Sequence, residues 1–286
     1  MPSLKEIKGR IASVSSTLKI TSAMKMVASA KLRKAQNAMG NMVPYQSALS
    51  GILEGLLCDE KLDLRKYTQV RPVRSVALVC FSSNTSLCGA FNANAIRAAK
   101  AVIGEYAAQG VSVTVFAAGR KMADALAHGG YPSAKDLNHL TAHPTYDDAA
   151  ALGHSLVEGF LGGRFDKVEF IFNHHKSSAS QQVLRETYLP LAAFSPVASD
   201  PVASPYLYEP GAASLAEALL PKVLRLKVYS VLLDTVSAEH AARVVAMQTA
   251  TDNANSLLVT LTLEYNKSRQ QKITSEILDI VGGSMQ

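Results

Sequence analysis

Few residues in this chain have a type and spacing suited to chemistry. His174 and His175 stand side by side after an apolar run, with Lys176 next. Neighbouring residues of a strand point to opposite faces, which places the pair badly for one metal ion. His128, His139, His143 and His154 fit no ligand motif. Cys88 precedes Gly89 in the stretch SSNTSLCGAFN, but no His–acid partner is spaced to activate it as a nucleophile. That stretch follows a strand-like run, where phosphates bind in doubly wound folds. It lacks GxGxxG and GK[ST], and Gly89 is its one glycine, so a structural strand-to-helix turn is the simpler reading. No catalytic residue, cofactor-binding residue, metal site or cofactor is expected.

The elements that would position these groups announce themselves by period. Leu4, Ile7, Ile11, Val14 and Leu18 alternate three and four apart, a heptad seam. The phase then slips, and Met24, Ala28, Leu32, Ala35, Met39 and Met42 continue on a rotated stripe. Pro44 predicts a bend, after which Leu49, Ile52, Leu53 and Leu56 extend an apolar face. A helix over residues 4–57 would be roughly 80 Å long at 1.5 Å per residue. Residues 58–72 read as a linker ending in Arg71-Pro72.

The period then changes. VALVCF (76–81), VSVTVFAAG (111–119), KVEFIFNHH (167–175) and QQVLRETYLPL (181–191) read as strands, the last at an edge. Residues 95–109, 120–128 and 147–163 read as helices between them. Alternating strand and helix predicts a Rossmann-like α/β domain with a largely parallel sheet over 73–195. Residues 196–211, with several prolines, form a connecting loop. Helical period returns over 212–286, with Ser214 and Glu217 as a capping box and Pro221 as a bend or true start. Met247, Thr251, Ala254, Leu258, Leu261 and Tyr265 mark its seam. The two long helices carry narrow stripes, so the economical arrangement is a long antiparallel coiled coil flanking the α/β domain. Thr, Ala and Met hold many seam positions where a stable coil has Leu or Ile. The last turns place Ile273, Ile277, Ile280 and Val281 at helical spacing, and an apolar helix tip needs something to sit in.

Charge is uneven. Eight Lys or Arg and one acid, Glu6, lie in residues 1–50, a surplus of seven against +6 overall. The basic segment has no aromatic before Tyr45, so stacking on single-stranded bases is unsupported. From residue 211 onward, seven basic residues meet seven acidic ones, so there is no continuous basic track for a duplex. No apolar run is long enough to span a membrane, and MPSLKEIKGR has no apolar signal core. Cys58, Cys80 and Cys88 are an odd number without metal spacing, which fits a reduced cytoplasmic setting.

The stretches KITSAMKMVASAKLRKAQ (19–36), AEHAARVVAMQTATDNA (238–254) and LEYNKSRQQKITSEILDIVGG (263–283) resemble the gamma subunit of F-type ATP synthase, as does LCGAFN. The resemblance covers essentially the whole chain. It implies a rotary shaft that transmits torque between ion flow through a membrane c-ring and ATP synthesis or hydrolysis in a catalytic head. It implies one copy inside a ring of three alpha and three beta subunits, contacts with the epsilon subunit and c-ring, no homo-oligomer and no nucleic acid. The place would be the cytoplasmic face of a bacterial inner membrane, as a peripheral subunit. Met24, Lys25, Lys31 and Arg33 match a collar facing an acidic beta segment, and Arg243 matches the same region. Gln270, Thr274 and Glu276 match polar catch residues. Ile273, Ile277, Ile280 and Val281 match a tip turning in an apolar sleeve. Tyr206, Leu207, Tyr208 and Glu209 match the foot facing the c-ring and epsilon. The chain departs from the family's usual DRGLCG loop with Asn84-Thr85-Ser86-Leu87-Cys88-Gly89, and Val244 stands where Met is frequent. Two other readings compete: a nucleotide-dependent α/β enzyme and a nucleic-acid-binding coiled-coil protein.

Overall fold

The computed structural model describes residues 3–57, 65–177, 180–191, 209 and 211–283. In chain order the elements are α1 (Leu4–Leu57), α2 (Arg65–Thr68), β1 (Ser75–Phe81), α3 (Phe91–Ala108), β2 (Ser112–Ala118), α4 (Arg120–Ala127), α5 (Asn138–Ala142), α6 (Tyr146–Leu161), β3 (Lys167–Ser177), β4 (Ser180–Leu189) and α7 (Ala212–Gly283). The two long helices, the four strands and their order match the sequence reading. Three expectations need correction. α3 begins at Phe91 rather than 95, because its first turn, FNAN, has loop-like composition. α7 begins at Ala212, with the Leu215 amide already bonded to the Gly211 carbonyl, so Ser214 lies inside the first turn and is not its N-cap. Pro221 lies within α7 and is not its true start, and Pro44 lies within α1 as expected. α6 does carry a side-chain cap: Thr145 accepts from the Asp148 amide at 3.2 Å and donates to its carboxylate at 2.6 Å, a device worth about 1 kcal/mol.

The chain divides into two compact units, Met1–Ser29 with Arg243–Gln286, and Ala30–Ala242. In the first, two helical segments pair. Thr251 Oγ1 donates to Thr21 Oγ1 at 3.0 Å, and Lys25 Nζ donates to Gln248 Oε1 at 2.7 Å. Numbers rise on one helix as they fall on the other, so the pair is antiparallel. The covered stripe on α1 runs Leu4, Ile7, Ile11, Val14, Leu18, Thr21, Lys25 and Ala28, alternating three and four without a break. The expected phase slip at Met24 is therefore absent: polar Thr21 and Lys25 occupy seam positions that a hydrophobic pattern skips. On α7 the seam is Met247, Thr251, Ala254, Leu258, Leu261, Tyr265 and Ser268. Beyond Ser268 every residue to Val281 is exposed.

The second unit holds a four-stranded sheet in the order β2-β1-β3-β4. β1 runs parallel to β2 and β3, and β4 pairs antiparallel with β3 at the edge. Alternate residues feed two cores. Val76, Leu78, Cys80 and Ile171 face α3 and α4, meeting Ala99, Ile103, Tyr106 and Met122. Ala77, Val79, Phe81, Phe170 and Phe172 face α6, α7 and α1, meeting Leu156, Phe160, Leu224, Leu232, Ala35 and Leu53. Each large apolar side chain so covered contributes about 1.5–3 kcal/mol, and β1, covered on both faces, is accordingly a continuous apolar run. Phe170 stacks on Tyr188 at 4.6 Å, and Tyr188 donates its hydroxyl to the Leu224 carbonyl at 3.1 Å, pinning β4 to α7. Gly153 lets α6 approach α7: a Cβ there would lie 3.2 Å from Val228 and 3.4 Å from the Arg225 backbone.

Candidate functional site

In a doubly wound sheet, ligands bind at the carboxyl ends of the strands where the chain order reverses. Here that place is between β1 and β3. The loop leaving β1 is stitched from within. Ser82 Oγ accepts from the Met122 amide at 2.9 Å, the Ser83 amide donates to Asn92 Oδ1 at 3.0 Å, and Asn84 Oδ1 accepts from the Arg120 amide at 2.9 Å. Gly119, at φ 114°, sits so close that a Cβ would run into the Ser82 carbonyl. Cys88 is buried, accepts from Asn92 Nδ2 at 3.2 Å, and packs with Phe91 against Ala238 and Ala242 of α7. Phe91, in the first turn of α3 that such folds offer to phosphates, is thus packed against the chain's own helix. Side chains of α7 take up part of the crevice, which counts against the nucleotide-enzyme reading.

The buried carboxylate of the sheet is partnered. Glu169 is buried on β3 at 2 % side-chain exposure, with Lys167 Nζ at 2.7 Å and Arg185 Nε at 2.9 Å. Arg185 also meets Glu105 at 2.6 Å and the Tyr106 hydroxyl at 3.1 Å. Burial alone would raise the Glu169 carboxyl, but hydrogen bonds from Lys167 and Arg185 outweigh it and hold the carboxyl below its ordinary range. Burial works against Lys167 as well, and Glu169 overcomes it to raise the ammonium. Such a fully satisfied network fixes α3 to β3 and β4 and leaves no proton poised for transfer. Burial pushes the Cys80 thiol far up, so it is no nucleophile. Among the described residues no cluster of His, Cys, Asp or Glu could hold a metal ion. His174 and His175 go to different partners: His174 Nδ1 meets Asp234 Oδ2 at 2.6 Å, and His175 Nε2 lies 3.4 Å from Gln36 Nε2.

What remains is surface. Met24 and Lys25 are half-buried on α1, and Lys31 and Arg33 are exposed. Lys25 turns inward to Gln248, so its amine already serves the seam. Arg243 is buried at 8 % exposure. Gln270, Thr274 and Glu276 are exposed; Thr274 bonds back to the Gln270 carbonyl at 2.9 Å, and Glu276 lies 3.7 Å from Lys272. Ile273, Ile277, Leu278, Ile280 and Val281 are all exposed, Ile280 at 71 %. Glu209 is exposed, while Tyr206, Leu207 and Tyr208 lie outside the described residues. The structure adds apolar residues that the seam pattern passed over: Ile20, Met26 and Val27 on α1, and Val245, Val259 and Leu263 on α7, all exposed. Ile20 and Val27, one heptad apart and off the seam, carried a readable signal.

The family model described as ATP synthase matches residues 3–285. A relative named ATP synthase gamma chain, from Phocaeicola vulgatus, is 50% identical over 288 residues, covering 100% of both chains. The gamma chain of Flavobacterium johnsoniae is 44% identical, covering 99% of this chain and 98% of its own. A chain of the Euglena gracilis mitochondrial ATP synthase superposes with TM-score 0.65 at 19% identity, over 99% of this chain and 93% of that one. One of the Tetrahymena thermophila mitochondrial enzyme, from its central stalk and c-ring, gives 0.57 at 23% over 81% and 99%. Helix pair, doubly wound sheet and full-length matches together define a stalk-type subunit of ATP synthase. The chain belongs to the ATP synthase gamma-chain family, the central rotor stalk of the F-type enzyme.

Proposed function

We propose that this chain turns inside a ring of alternating alpha and beta subunits, at the cytoplasmic face of a bacterial cell membrane. The observation that carries the reading is the stretch of α7 after Ser268, where every residue to Val281 is exposed, Ile273, Ile277, Ile280 and Val281 among them. An apolar helix surface of that kind is stable in water only when a partner covers it. In this reading the tip turns in an apolar sleeve, and Gln270, Thr274 and Glu276 form hydrogen bonds that break and re-form as it turns. Met24, Lys31, Arg33 and the exposed apolar residues near them meet the beta subunits as a collar. Lys25 and Arg243 act from beneath that surface, since one is bonded across the seam and the other is buried. Tyr206, Tyr208 and Glu209 belong to the foot, toward the epsilon subunit and the c-ring. Each beta subunit would meet a different side of an asymmetric shaft, and the differential contacts would shift its population among nucleotide affinities. In this reading catalysis resides in the ring.

The test is co-expression with alpha and beta subunits, followed by size-exclusion chromatography and an ATPase assay. The expected result is an active complex with one copy of this chain per three alpha and three beta. A chain that elutes alone would overturn the reading. Within the complex, reversing charge at Lys31 and Arg33 should alter ion pumping per ATP while leaving the chain folded. An unchanged ratio would remove these residues from the collar. Deleting residues 277–286 should weaken the bearing yet permit assembly.

A further inference from the structure

The crevice at the carboxyl ends of β1 and β3 is occupied by α7, and one side chain ties it there. Asp234 is buried on α7, at 10 % side-chain exposure. Its Oδ1 accepts the His175 backbone N–H at 2.8 Å, and its Oδ2 faces His174 Nδ1 at 2.6 Å. Both partners lie near the carboxyl end of β3, past the residues that pair with β1. Four residues further along α7, Ala238 packs on Cys88 and Phe91, at the carboxyl end of β1, and Ala242 follows one turn later. Small residues at 238 and 242 let the helix lie close to the β1 loop. The carboxylate supplies the negative charge that this position in a doubly wound fold ordinarily receives from a ligand.

We propose that Asp234 is the latch that seats α7 in the sheet's crevice, and that it is a positioning residue for torque transmission. The second half of that statement rests on the rotor reading above. A shaft helix that rolled in its seat would store rotation as slippage between helix and sheet. Apolar packing from Leu224 to Val236 resists separation but is weakly directional. A carboxylate gripping two donors at fixed angles resists rolling, since charge-assisted hydrogen bonds are short and directional. His174 and Asp234 also explain each other. The carboxylate requires a proton on Nδ1, and the imidazole and the His175 amide satisfy a charge that burial would otherwise leave costly.

The experiment has two arms. In the isolated full-length chain, amide exchange and imidazole 15N spectra are recorded for wild type, Asp234→Ala and Asp234→Asn. Wild type should show His174 protonated at Nδ1. Asp234→Ala should speed exchange of the His175 amide about ten-fold or more, the loss expected for a hydrogen bond to a charged acceptor. Asp234→Asn keeps an oxygen for that amide and should preserve its protection, while its NH2 drives the His174 proton to Nε2. Equal His175 exchange in wild type and Asp234→Ala would overturn the latch, and so would an unprotonated His174 Nδ1 in wild type. If Asp234→Ala fails to fold, the tautomer change in Asp234→Asn still decides. In the second arm, the assembled ATP synthase carrying Asp234→Ala should pump fewer ions per ATP hydrolysed than one carrying Asp234→Asn. Equal ratios would confine Asp234 to the fold. Failure of wild type to assemble would sink the rotor reading and leave the first arm intact.

Discussion

The sheet unit and the helix pair are built on opposite terms. The sheet unit covers its own apolar surface: β1 is buried on both faces, Phe170 stacks on Tyr188, and Glu169 is enclosed by two cations. The helix pair leaves Ile20, Met26, Val27, Val259 and Leu263 in water and places Thr21, Thr251, Lys25 and Gln248 along its seam. The first is finished by its own residues. The second is finished only by others, and its thin seam suits a surface that several partners must touch in turn without interlocking. Stability therefore concentrates in the sheet unit, and the proposed partner contacts fall on the helix pair.

Mutations should separate the two. The largest effects belong in the sheet unit. Phe170→Ala should cost about 3–5 kcal/mol, and Gly119→Ala, facing both φ 114° and the Ser82 carbonyl, about 3 kcal/mol. Chemical denaturation of the isolated chain measures both, and a loss under 1 kcal/mol in either would break the contrast. Glu169→Gln should cost about 2 kcal/mol at neutral pH. The folded carboxyl is held below its ordinary range, so the unfolded chain binds more protons there. The wild-type advantage is full above the unfolded value of about 4.3 and fades as pH falls through the lower folded value. A gap between wild type and variant that stays constant from pH 7 to pH 2 would contradict the network. In the helix pair, joint Thr21→Val and Thr251→Val replacement should stabilise by about 1 kcal/mol, read as slower amide exchange over residues 14–28. Faster exchange would show that the polar layer strengthens the seam. Smallest of all, Ile277→Ser should change stability by less than about 0.5 kcal/mol. Its effect should fall instead on ion pumping per ATP hydrolysed in the assembled complex, and a large loss of stability in the free chain would remove the distinction between the two regions.

Period made the long helices and strands readable. VALVCF and its parallel neighbours are apolar because both faces are covered, and Met247 to Tyr265 keep an apolar heptad. Legibility failed where polar atoms do structural work. Thr21 and Lys25 looked like a phase slip because a hydrophobic pattern does not register hydrogen-bonded seam positions. α5 was missed because NHLTA has no stripe and spans little more than one turn. Asp234 could not be paired with His174 from sequence, since sixty residues separate them and only the crossing of α7 over β3 joins them. The tip residues were legible from their spacing. Arg243 was named from resemblance alone, and its burial is a property of packing that no local pattern displays.

The sheet's second face carries one more consequence, in the order of synthesis. That face is closed by Ala35 and Leu53 from near the start of the chain, by Leu152, Leu156 and Phe160 of α6, and by Leu220, Leu224, Val228, Val231, Leu232 and Val236 from near its end. All four strands leave the ribosome before those α7 residues do. Phe81, Phe170 and Phe172 then form an aromatic sheet face that α1 and α6 cover only in part, beside a newly made edge strand, the type of surface that aggregates and that chaperones hold. The nascent subunit therefore reaches its native sheet only after its shaft helix has been made, so a ribosome that stops short of α7 releases a chain with a half-built core.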